Sequence, residues 1–470
     1  MRITSSTVWA VIAAGSVLIA SAAAAPYRAA AAPGGQGVKQ ITRRTAKSTP
    51  RPAAKPAPRP AVKSAPRRAA KKPDAPQRKA PVNKTAAKRA AAANRPPRRG
   101  PTPPPRRLEP VSFRVGSDGA VLLEAVPDFS FRFAGRVAGL GPNRELIFYS
   151  LNPSLQTAAD DLIRRIQAPH AAIVAVEPGT GRILAFSQKS VSLPNAALHA
   201  GFPAASLFKL VTAAAALDRN RLGPFSRIRY RGGTYELSRS NYLPNPARDN
   251  REMSLADALG KSCNPVFGRV ATEELDAATL RAYARFFGFN RGIDFALPLP
   301  PSRSHIPLDP FELARTGAGF GPVRISPVHA ALIMAGIADD GILPRPILVD
   351  HILQPDGRLL FRSRIAPLQR MMRPATARML MNMMQHTTTT GTSRREFMPH
   401  GRPAIPGLAV AAKTGTLSGS DPEGLNRWFV AAAPIGNPKL ALAVIVVNPR
   451  GPTSRPSYIG RAIFQKFFGG

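Results

Sequence analysis

The sequence has very little cysteine and few acidic residues. Only one of its 470 residues is a cysteine, Cys263, which excludes an internal disulfide framework. That cysteine and the seven histidines form no group with metal-ligand spacing, so neither a metal nor another cofactor is predicted. Asp and Glu number 27 against 66 Lys and Arg, which gives a formal net charge of +39. A chain this basic is expected to meet anionic partners.

Most of the excess positive charge lies in one low-complexity tract, residues 26–107. Between Tyr27 and Arg107 there are 23 Lys and Arg and a single acid, Asp74. A segment rich in Ala, Pro and like charges buries too little apolar surface to offset the entropy of ordering, so we predict a disordered linker. Contact with anionic envelope polymers and a role as a plain spacer are the two favoured interpretations of this tract. Nucleic acid is not favoured, because the tract has no aromatic residue after Tyr27 on which bases could stack.

Residues 1–25 have the pattern of a targeting segment. Arg2 is followed by the apolar run Val8–Ile19 and by the small residues Ala20–Ala25, which suit signal cleavage. The stretch is also just long enough for a membrane anchor, so both interpretations stay open. Either one predicts export, to the periplasm or to the extracytoplasmic face of the cytoplasmic membrane.

The remaining chain is predicted to fold as an α+β protein. Residues 108–145 contain two β-like runs around a Gly116–Gly119 turn, and we expect a small β-rich N-terminal subdomain there. The main domain is expected at 146–470, with two early strands, three late strands and helices between them. This order fits an antiparallel five-stranded sheet flanked by helices. The predicted strands are Ala171–Val176, Arg182–Ser187, Leu408–Lys413, Trp428–Ile435 and Leu440–Val447, and the predicted helices include Leu155–Ile166, Ile325–Ala338 and Ile463–Phe468.

Ser206 and Lys209 open an apolar helical run that extends from Leu207 to Leu217. Residues three apart share one face of a helix, so the Lys209 amine can reach the Ser206 hydroxyl. A serine is a weak nucleophile until a base takes its proton, and a lysine is such a base only when its pKa is lowered. Taken alone, a Ser and a Lys at this spacing usually have no function.

Two later stretches supply complementary groups. Ser262-Cys263-Asn264 offers a hydroxyl and an amide, although by residue type alone Asn250 or Ser254 would serve equally well. Lys413-Thr414-Gly415-Thr416 ends an apolar strand. There Gly415 would admit a ligand close to the backbone, the threonines could donate to a carboxylate, and the Lys413 charge would help lower the pKa of Lys209.

The three stretches together, in this order, resemble the transpeptidase domain of penicillin-binding proteins, which belongs with the serine β-lactamases. Further segments from about Phe148 to Gly470 also resemble that domain, among them AAIVAVEPGTGRILAFS, TGAGFGPVRISPVHAALIMAGIADDG and NRWFVAAAP. One departure is Ala204-Ala205, which stands where the family often has Pro-Gly before the serine.

The resemblance implies a role for each matching residue. Ser206 would be the acylated nucleophile and Lys209 its general base. Ser262 would pass a proton to the leaving amine, Asn264 would hold the peptide, and Lys413 would assist electrostatically. Thr414, Gly415 and Thr416 would bind the substrate, and the N–H groups of Ser206 and Thr416 would form the oxyanion hole.

The expected activity is peptidoglycan D,D-transpeptidation, with stem peptides and β-lactams as ligands. A D,D-carboxypeptidase or a serine β-lactamase, which use water as the acceptor, is the first alternative. It is less favoured because Glu252, Glu273 and Glu274 lack a recognisable context for a water-activating base. A non-catalytic envelope scaffold is the second alternative.

Overall fold

The computed structural model describes residues 108–117, 119–448 and 455–469. The predicted signal or anchor at 1–25 and the predicted linker at 26–107 lie outside these residues. Within the described ranges, no helix combines the length and apolarity needed to cross a bilayer.

Strands are numbered here in chain order. They are β1 (Phe113–Val115), β2 (Val121–Leu123), β3 (Arg132–Phe133), β4 (Arg136–Leu140), β5 (Leu146–Tyr149), β6 (His170–Val176), β7 (Ile183–Ser190), β8 (Arg227–Tyr230), β9 (Arg251–Ser254), β10 (Arg303–Ser304), β11 (Val323–Arg324), β12 (Ile342–Pro344), β13 (Val349–Leu353), β14 (Leu359–Arg362), β15 (Pro367–Arg370), β16 (Ala411–Ser420), β17 (Glu423–Ala433) and β18 (Leu440–Asn448).

The α-helices are numbered in the same way. They are α1 (Pro153–Arg165), α2 (Lys209–Asp218), α3 (Leu255–Lys261), α4 (Asn264–Arg269), α5 (Ala277–Phe286), α6 (Pro310–Gly317), α7 (Pro327–Ala338), α8 (Pro374–Thr389), α9 (Arg394–Phe397) and α10 (Pro456–Phe468). Short 3₁₀ turns cover Ala205–Phe208 and Pro399–Gly401, and a π-helical turn covers Val270–Glu274.

The predicted five-stranded antiparallel sheet is confirmed. Its order is β16-β17-β18-β6-β7, so the early hairpin pairs with the last strand of the chain. The main difference from the prediction is β16, which extends to Ser420. Its small polar residues continue to pair with β17 as far as Ser420↔Glu423. Backbone hydrogen bonds maintain an edge strand without apolar side chains, and an apolar pattern therefore underestimates its length.

Helices cover both faces of this sheet. Alternate residues of β17 belong to two different hydrophobic cores. Trp428 and Val430 belong to the core that contains α2, α7 and α8. Phe429 and Ala431 belong to the core that contains α1 and α10. Helix α7 is buried around almost its whole circumference, as its uniformly apolar sequence requires. The sheet and α2 are thus held rigidly, and α2 begins at one of the predicted catalytic residues, Lys209.

A second five-stranded sheet has the order β14-β13-β5-β4-β3. The hairpin predicted around residues 116–119 is present as the separate pair β1 and β2. The predicted boundary between residues 145 and 146 falls inside the second sheet, between β4 and β5, which pair through Leu140 and Leu146. The division of the chain into domains stays a prediction.

The side chain of Gln156, in α1, covers the outer edge of β7. Its Nε2 donates to the Phe186 carbonyl at 3.0 Å, and its Oε1 accepts from the Phe186 N–H at 2.8 Å. Gln156 is 1 % exposed. One side-chain amide therefore satisfies both backbone groups of Phe186, at a sheet edge where no strand among the described residues pairs.

We expect Gln156→Leu to destabilise the protein, because the donor and the acceptor of Phe186 would lose their partners in a buried setting. The free energy of unfolding should fall by about 2–4 kcal/mol, measured by urea denaturation. Thr157→Ala, on the exposed side of the same helix, is the matched control and should change it by less than about 0.5 kcal/mol. Equal losses in the two variants would contradict this account.

Candidate active site

Ser206 lies in a tight turn, not in the first turn of the predicted α-helix. Ala205 has a left-handed φ of 50°, and residues Ala205–Phe208 form a 3₁₀ turn that leads into α2. The segment before it is held on two sides. The Ala204 N–H donates to the Val323 carbonyl at 3.0 Å, and Trp428 Nε1 donates to the Pro203 carbonyl at 2.9 Å. The position of Ser206, the predicted nucleophile, is therefore fixed by contacts of the chain just before it.

Lys209 is completely buried and makes three polar contacts. Its Nζ lies 2.8 Å from Ser206 Oγ, 2.8 Å from Asn264 Oδ1 and 2.5 Å from the carbonyl oxygen of Ala318. Burial disfavours the ammonium form and lowers the pKa of Lys209 to about 7. A substantial fraction of this lysine is therefore neutral near pH 7.

The three contacts suit a neutral amine. An NH₂ group has two protons and one lone pair. The Ala318 carbonyl can only accept, and the Asn264 oxygen can only accept, so these two use both protons. The lone pair then faces the Ser206 hydroxyl at 2.8 Å, which is the geometry that a general base for Ser206 needs.

The orientation of the Asn264 amide is set by its other end. Asn264 Nδ2 donates to the Tyr235 carbonyl at 2.7 Å, so its Oδ1 must face Lys209. The backbone N–H of Asn264 also donates to the Thr234 carbonyl at 2.8 Å. By residue type alone, Ser254 and Asn250 were alternatives for this part of the site. Ser254 instead caps α3, and Asn250 is exposed.

The segment that holds Thr234 and Tyr235 is itself fastened by a buried ion pair. Arg269 of α4 is 2 % exposed, and its guanidinium contacts both carboxylate oxygens of Asp249, at 2.6 and 2.9 Å. Arg231 pairs with the same carboxylate at 2.8 Å. Hydrogen bonds from Arg269 lower the pKa of Asp249 well below its usual range. The charge pair thus fixes the chain that orients Asn264.

Ser262 and Lys413 form the opposite side of the site. Ser262 ends α3 with a left-handed φ of 58°, and its Oγ accepts from Lys413 Nζ at 2.9 Å. Lys413 also donates to the Thr414 carbonyl at 2.7 Å. Burial, with a smaller effect of the nearby Lys209, holds the pKa of Lys413 well below its usual range. Burial is also the main cause of the shift at Lys209, rather than the Lys413 charge expected from sequence.

The three substrate-binding residues predicted on β16 face different surroundings. The Thr414 hydroxyl lies 2.6 Å from that of Thr392, while Thr416 is exposed in the cleft. A Cβ added to Gly415 would lie 3.3 Å from the Cβ atoms of Ala205 and Trp428. The missing side chain of Gly415 therefore lets β16 pack closely against the turn that carries Ser206.

A cleft of about 520 Å³ brings the predicted residues together, although Lys209 and Lys413 lie beneath its surface. Its lining also includes residues that the sequence reasoning missed, namely Tyr235, Ala318, Gly319, Phe320, Thr392, Glu396, Arg427, Trp428, Arg455, Pro456 and Ser457. Of these, only the glycine-rich run from Gly317 to Gly321 carried a usable signal, since such runs often mark a close backbone approach.

Gly319 shows how close that approach is. It has a φ of 95°, and a Cβ placed there would lie 2.4 Å from the Ala205 carbonyl oxygen and 2.9 Å from the Ser206 nitrogen. The preceding residue, Ala318, supplies the carbonyl that accepts from Lys209. The chain can bring this carbonyl to Lys209 only because position 319 has no side chain.

No histidine is among the described residues that line the cleft. His329 lies in the apolar core with its Nε2 2.8 Å from the Phe287 carbonyl oxygen, and burial lowers its pKa to about 4. Cys263 is a buried free thiol beside the site, and burial raises its pKa. In the part of the chain that the structure describes, no three His, Cys, Asp or Glu residues are placed to hold a metal ion.

Comparisons with known proteins show what the chain as a whole is similar to. The family model "Penicillin binding protein transpeptidase domain" matches residues 171–469. The peptidoglycan D,D-transpeptidase PbpA of Mycobacterium tuberculosis is 30% identical over 383 residues, covering 72% of this chain and 75% of that protein.

Two solved structures extend the likeness to the fold. The imipenem acyl-enzyme of penicillin-binding protein A from M. tuberculosis has a TM-score of 0.55 at 30% identity, covering 68% of this chain and 79% of that one. A D,D-transpeptidase domain from Eggerthella lenta has a TM-score of 0.59 at 24% identity, covering 76% of this chain and 95% of that one, and supports the fold alone.

We expect Gly319→Ala to destabilise the folded protein, because the new methyl group would overlap the Ala205 carbonyl and the φ of 95° disfavours any side chain. The loss should be about 2–4 kcal/mol in the free energy of unfolding, measured by denaturant titration. The matched control is Gly292→Ala, where a Cβ would meet nothing within 4 Å. An unchanged stability of Gly319→Ala would show that the turn before Ser206 can shift freely.

Proposed function

The chain belongs to the penicillin-binding protein transpeptidase family, and from this membership and the geometry of the cleft we propose that it cross-links peptidoglycan stem peptides through an acyl-enzyme on Ser206. The observation that carries the proposal is the buried Lys209 amine, 2.8 Å from Ser206 Oγ and with a pKa of about 7. It provides a base at neutral pH next to the hydroxyl that must lose a proton.

In the proposed acylation, the neutral Lys209 amine takes the Ser206 proton while Oγ attacks the carbonyl of the penultimate D-alanine. The N–H groups of Ser206 and Thr416 would stabilise the oxyanion. The C–N bond of the terminal D-alanine then breaks. Ser262, 2.9 Å from Lys413 Nζ, would pass the proton that the leaving amine requires.

The second half of the proposed reaction transfers the acyl group to an amine of a neighbouring strand. Water is the competing acceptor in a carboxypeptidase or a β-lactamase, and fast hydrolysis of the class A type needs a free glutamate as its base. Glu252, one of the three glutamates weighed from sequence, pairs with Arg227 on the β8–β9 hairpin. Among the described residues that line the cleft, Glu396 is the single carboxylate, and it is paired with Arg455. These contacts support an amine as the acceptor.

The proposed place of action is outside the cytoplasmic membrane, where peptidoglycan is cross-linked. The targeting pattern of residues 1–25 supports export and leaves a membrane anchor open. The basic tract at 26–107 would contact anionic envelope polymers through its many Lys and Arg residues.

Penicillin should form a stable adduct on Ser206. A fluorescent penicillin incubated with the protein should give one labelled peptide containing Ser206 by mass spectrometry, and Ser206→Ala should give none. Ser192→Ala, on an exposed loop, is the control and should label like the unchanged protein. Absence of any adduct would favour the non-catalytic scaffold, and an adduct that decays within seconds would favour the hydrolase.

The rate of penicillin acylation should follow the neutral form of Lys209. Because burial lowers its pKa to about 7, the second-order rate constant should level off above that pH and fall about tenfold per unit below it. Lys209→Arg should lose about 10²–10⁴-fold, since a guanidinium stays protonated and offers no lone pair. Lys261→Arg is the exposed control. A flat profile from pH 5 to 9 would refute Lys209 as the base.

A further inference from the structure

One end of the second five-stranded sheet carries a row of leucines. The strands β4, β5, β13 and β14 each begin or end there, and one leucine of each strand lies directly opposite a leucine of the next. Residues that pair in this way lie on the same face of a sheet. This leucine row consists of Leu140, Leu146, Leu353 and Leu359.

The leucine row lies on the face of the sheet that is turned away from the core. Its neighbours Ile147 and Ile352 are completely buried in the larger core, and successive residues of a strand point to opposite faces. Leu359 is 53 % exposed and the adjacent Leu360 is 38 % exposed, while the other three leucines of the row are partly exposed. An ordered apolar row at the surface marks a place where something else binds.

Exposed arginines border the leucine row. Arg144 lies in the turn between β4 and β5, and Arg358 lies in the turn between β13 and β14. Arg362 and Arg364 follow, also exposed. Asp356, the acid of the second turn, is paired with Arg358 at 2.6 Å. An arginine can lay its apolar stem along such a surface while its charge stays in the polar layer above it.

The basic tract joins the folded domain at the same place. Leu108, the first described residue, follows the tract directly and is 43 % exposed. Three residues later, the Val111 N–H donates to the carbonyl of Leu140, a member of the leucine row, at 2.7 Å. Glu109 is the acid of this entry segment, and the sequence places Arg106 and Arg107 just before it. The chain therefore enters the domain beside the leucine row with an excess of positive charge.

We propose that this end of the second sheet docks on an anionic phospholipid bilayer. The leucine row would lie at the boundary between headgroups and acyl chains, and the bordering arginines would contact lipid phosphates. The contact belongs to the folded domain and is separate from the predicted signal or anchor at 1–25. It is independent of the chemistry proposed at Ser206.

The arrangement favours a bilayer over a protein partner. The leucines lie at strand ends beside two turns, so they can meet one flat surface together. The arginines come from both turns and from the outer strand β14, which suits a continuous layer of negative charge better than a few separate acids. Leucines combined with basic residues are also the composition typical of surfaces that lie at membrane interfaces.

Docking there would also orient the active site. The second sheet is connected to the sheet β16-β17-β18-β6-β7 at the start of β7. The Ile183 N–H donates to the carbonyl of Ile347, just before β13, at 2.8 Å. Arg182 pairs with Asp350 of β13. A bilayer held at the leucine row would therefore set the direction in which the cleft faces.

The test needs a reporter at one residue, because the basic tract of the full chain binds anionic vesicles by itself. Leu360→Cys is labelled with an environment-sensitive dye and mixed with phosphatidylglycerol vesicles that carry a nitroxide quencher near the headgroups. We expect about half or more of the fluorescence to be quenched. Val191→Cys is the control. It is 78 % exposed at the end of β7 away from Ile183, and its label should lose less than about a tenth. Cys263 is buried and should stay unlabelled.

Substitutions at the surface should then separate docking from tethering. In the Leu360-labelled protein, Leu359→Asn and Arg362→Glu should each lower the ratio of docked to undocked label by about fivefold. Arg362→Lys keeps the charge and should keep the quenching. Arg248→Glu, an equal charge change on an exposed loop, is the matched control and should leave the ratio unchanged. Penicillin acylation should be the same in all four variants.

Three results would overturn the bilayer contact. The first is equal quenching, or none, at positions 360 and 191, which would mean that the basic tract tethers the chain while the domain stays undocked. The second is shielding of the 360 label without vesicles that increases with protein concentration, which would assign the leucine row to a second copy of this chain. The third is the same shielding at every concentration, which would assign it to the chain's own apolar run Val8–Ile19.

Discussion

The burial of the Lys209 amine is the constraint on which the rest of the site depends. A lysine in water is an ammonium with no lone pair, and complete burial brings its pKa to about 7. Burial is tolerated because Asn264, Ala318 and Ser206 satisfy every polar position of the amine. Each of these partners comes from a different part of the chain, so the fold must assemble before the pKa of Lys209 can be lowered in this way.

Much of the fold supports those partners. Asn264 is oriented by Tyr235, whose segment is fastened by the buried Arg269–Asp249 pair. The Ala318 carbonyl reaches the Lys209 amine because Gly319 lets the backbone approach the turn that carries Ser206. Removing either support would move an acceptor away from Lys209 and leave a buried amine with an unsatisfied proton. The cost would then fall on stability and on catalysis together.

The sequence predicted the main sheet well, and the cleft brings the predicted site residues close together. The order of the predicted elements, two early strands, helices and three late strands, was enough to predict the antiparallel sheet. The strands could be located because alternating and continuous apolar runs indicate which residues are buried. Ser206, Lys209, Ser262 and Lys413 were predicted from sequence because their side chains bear the hydroxyl and amine groups that the predicted chemistry needs. Groups that act through their backbone, such as the Ala318 carbonyl, have no residue signature. Glu396 and Arg455 are 59 positions apart, and only the tertiary structure brings them together.

The sheet β16-β17-β18-β6-β7 has two edges, and they differ in whether their backbone groups are already bonded. At the β7 edge, Gln156 bonds both backbone groups of Phe186, Asn152 N–H donates to the Leu184 carbonyl, and Ile183 N–H donates to the Ile347 carbonyl. At the other edge, β16 has β17 on one side and the cleft on the other. An open strand edge is a template for an extended peptide. The edge beside Ser206 therefore faces a cleft with room for an added chain, whereas backbone groups of Ile183, Leu184 and Phe186 on the far edge are already bonded.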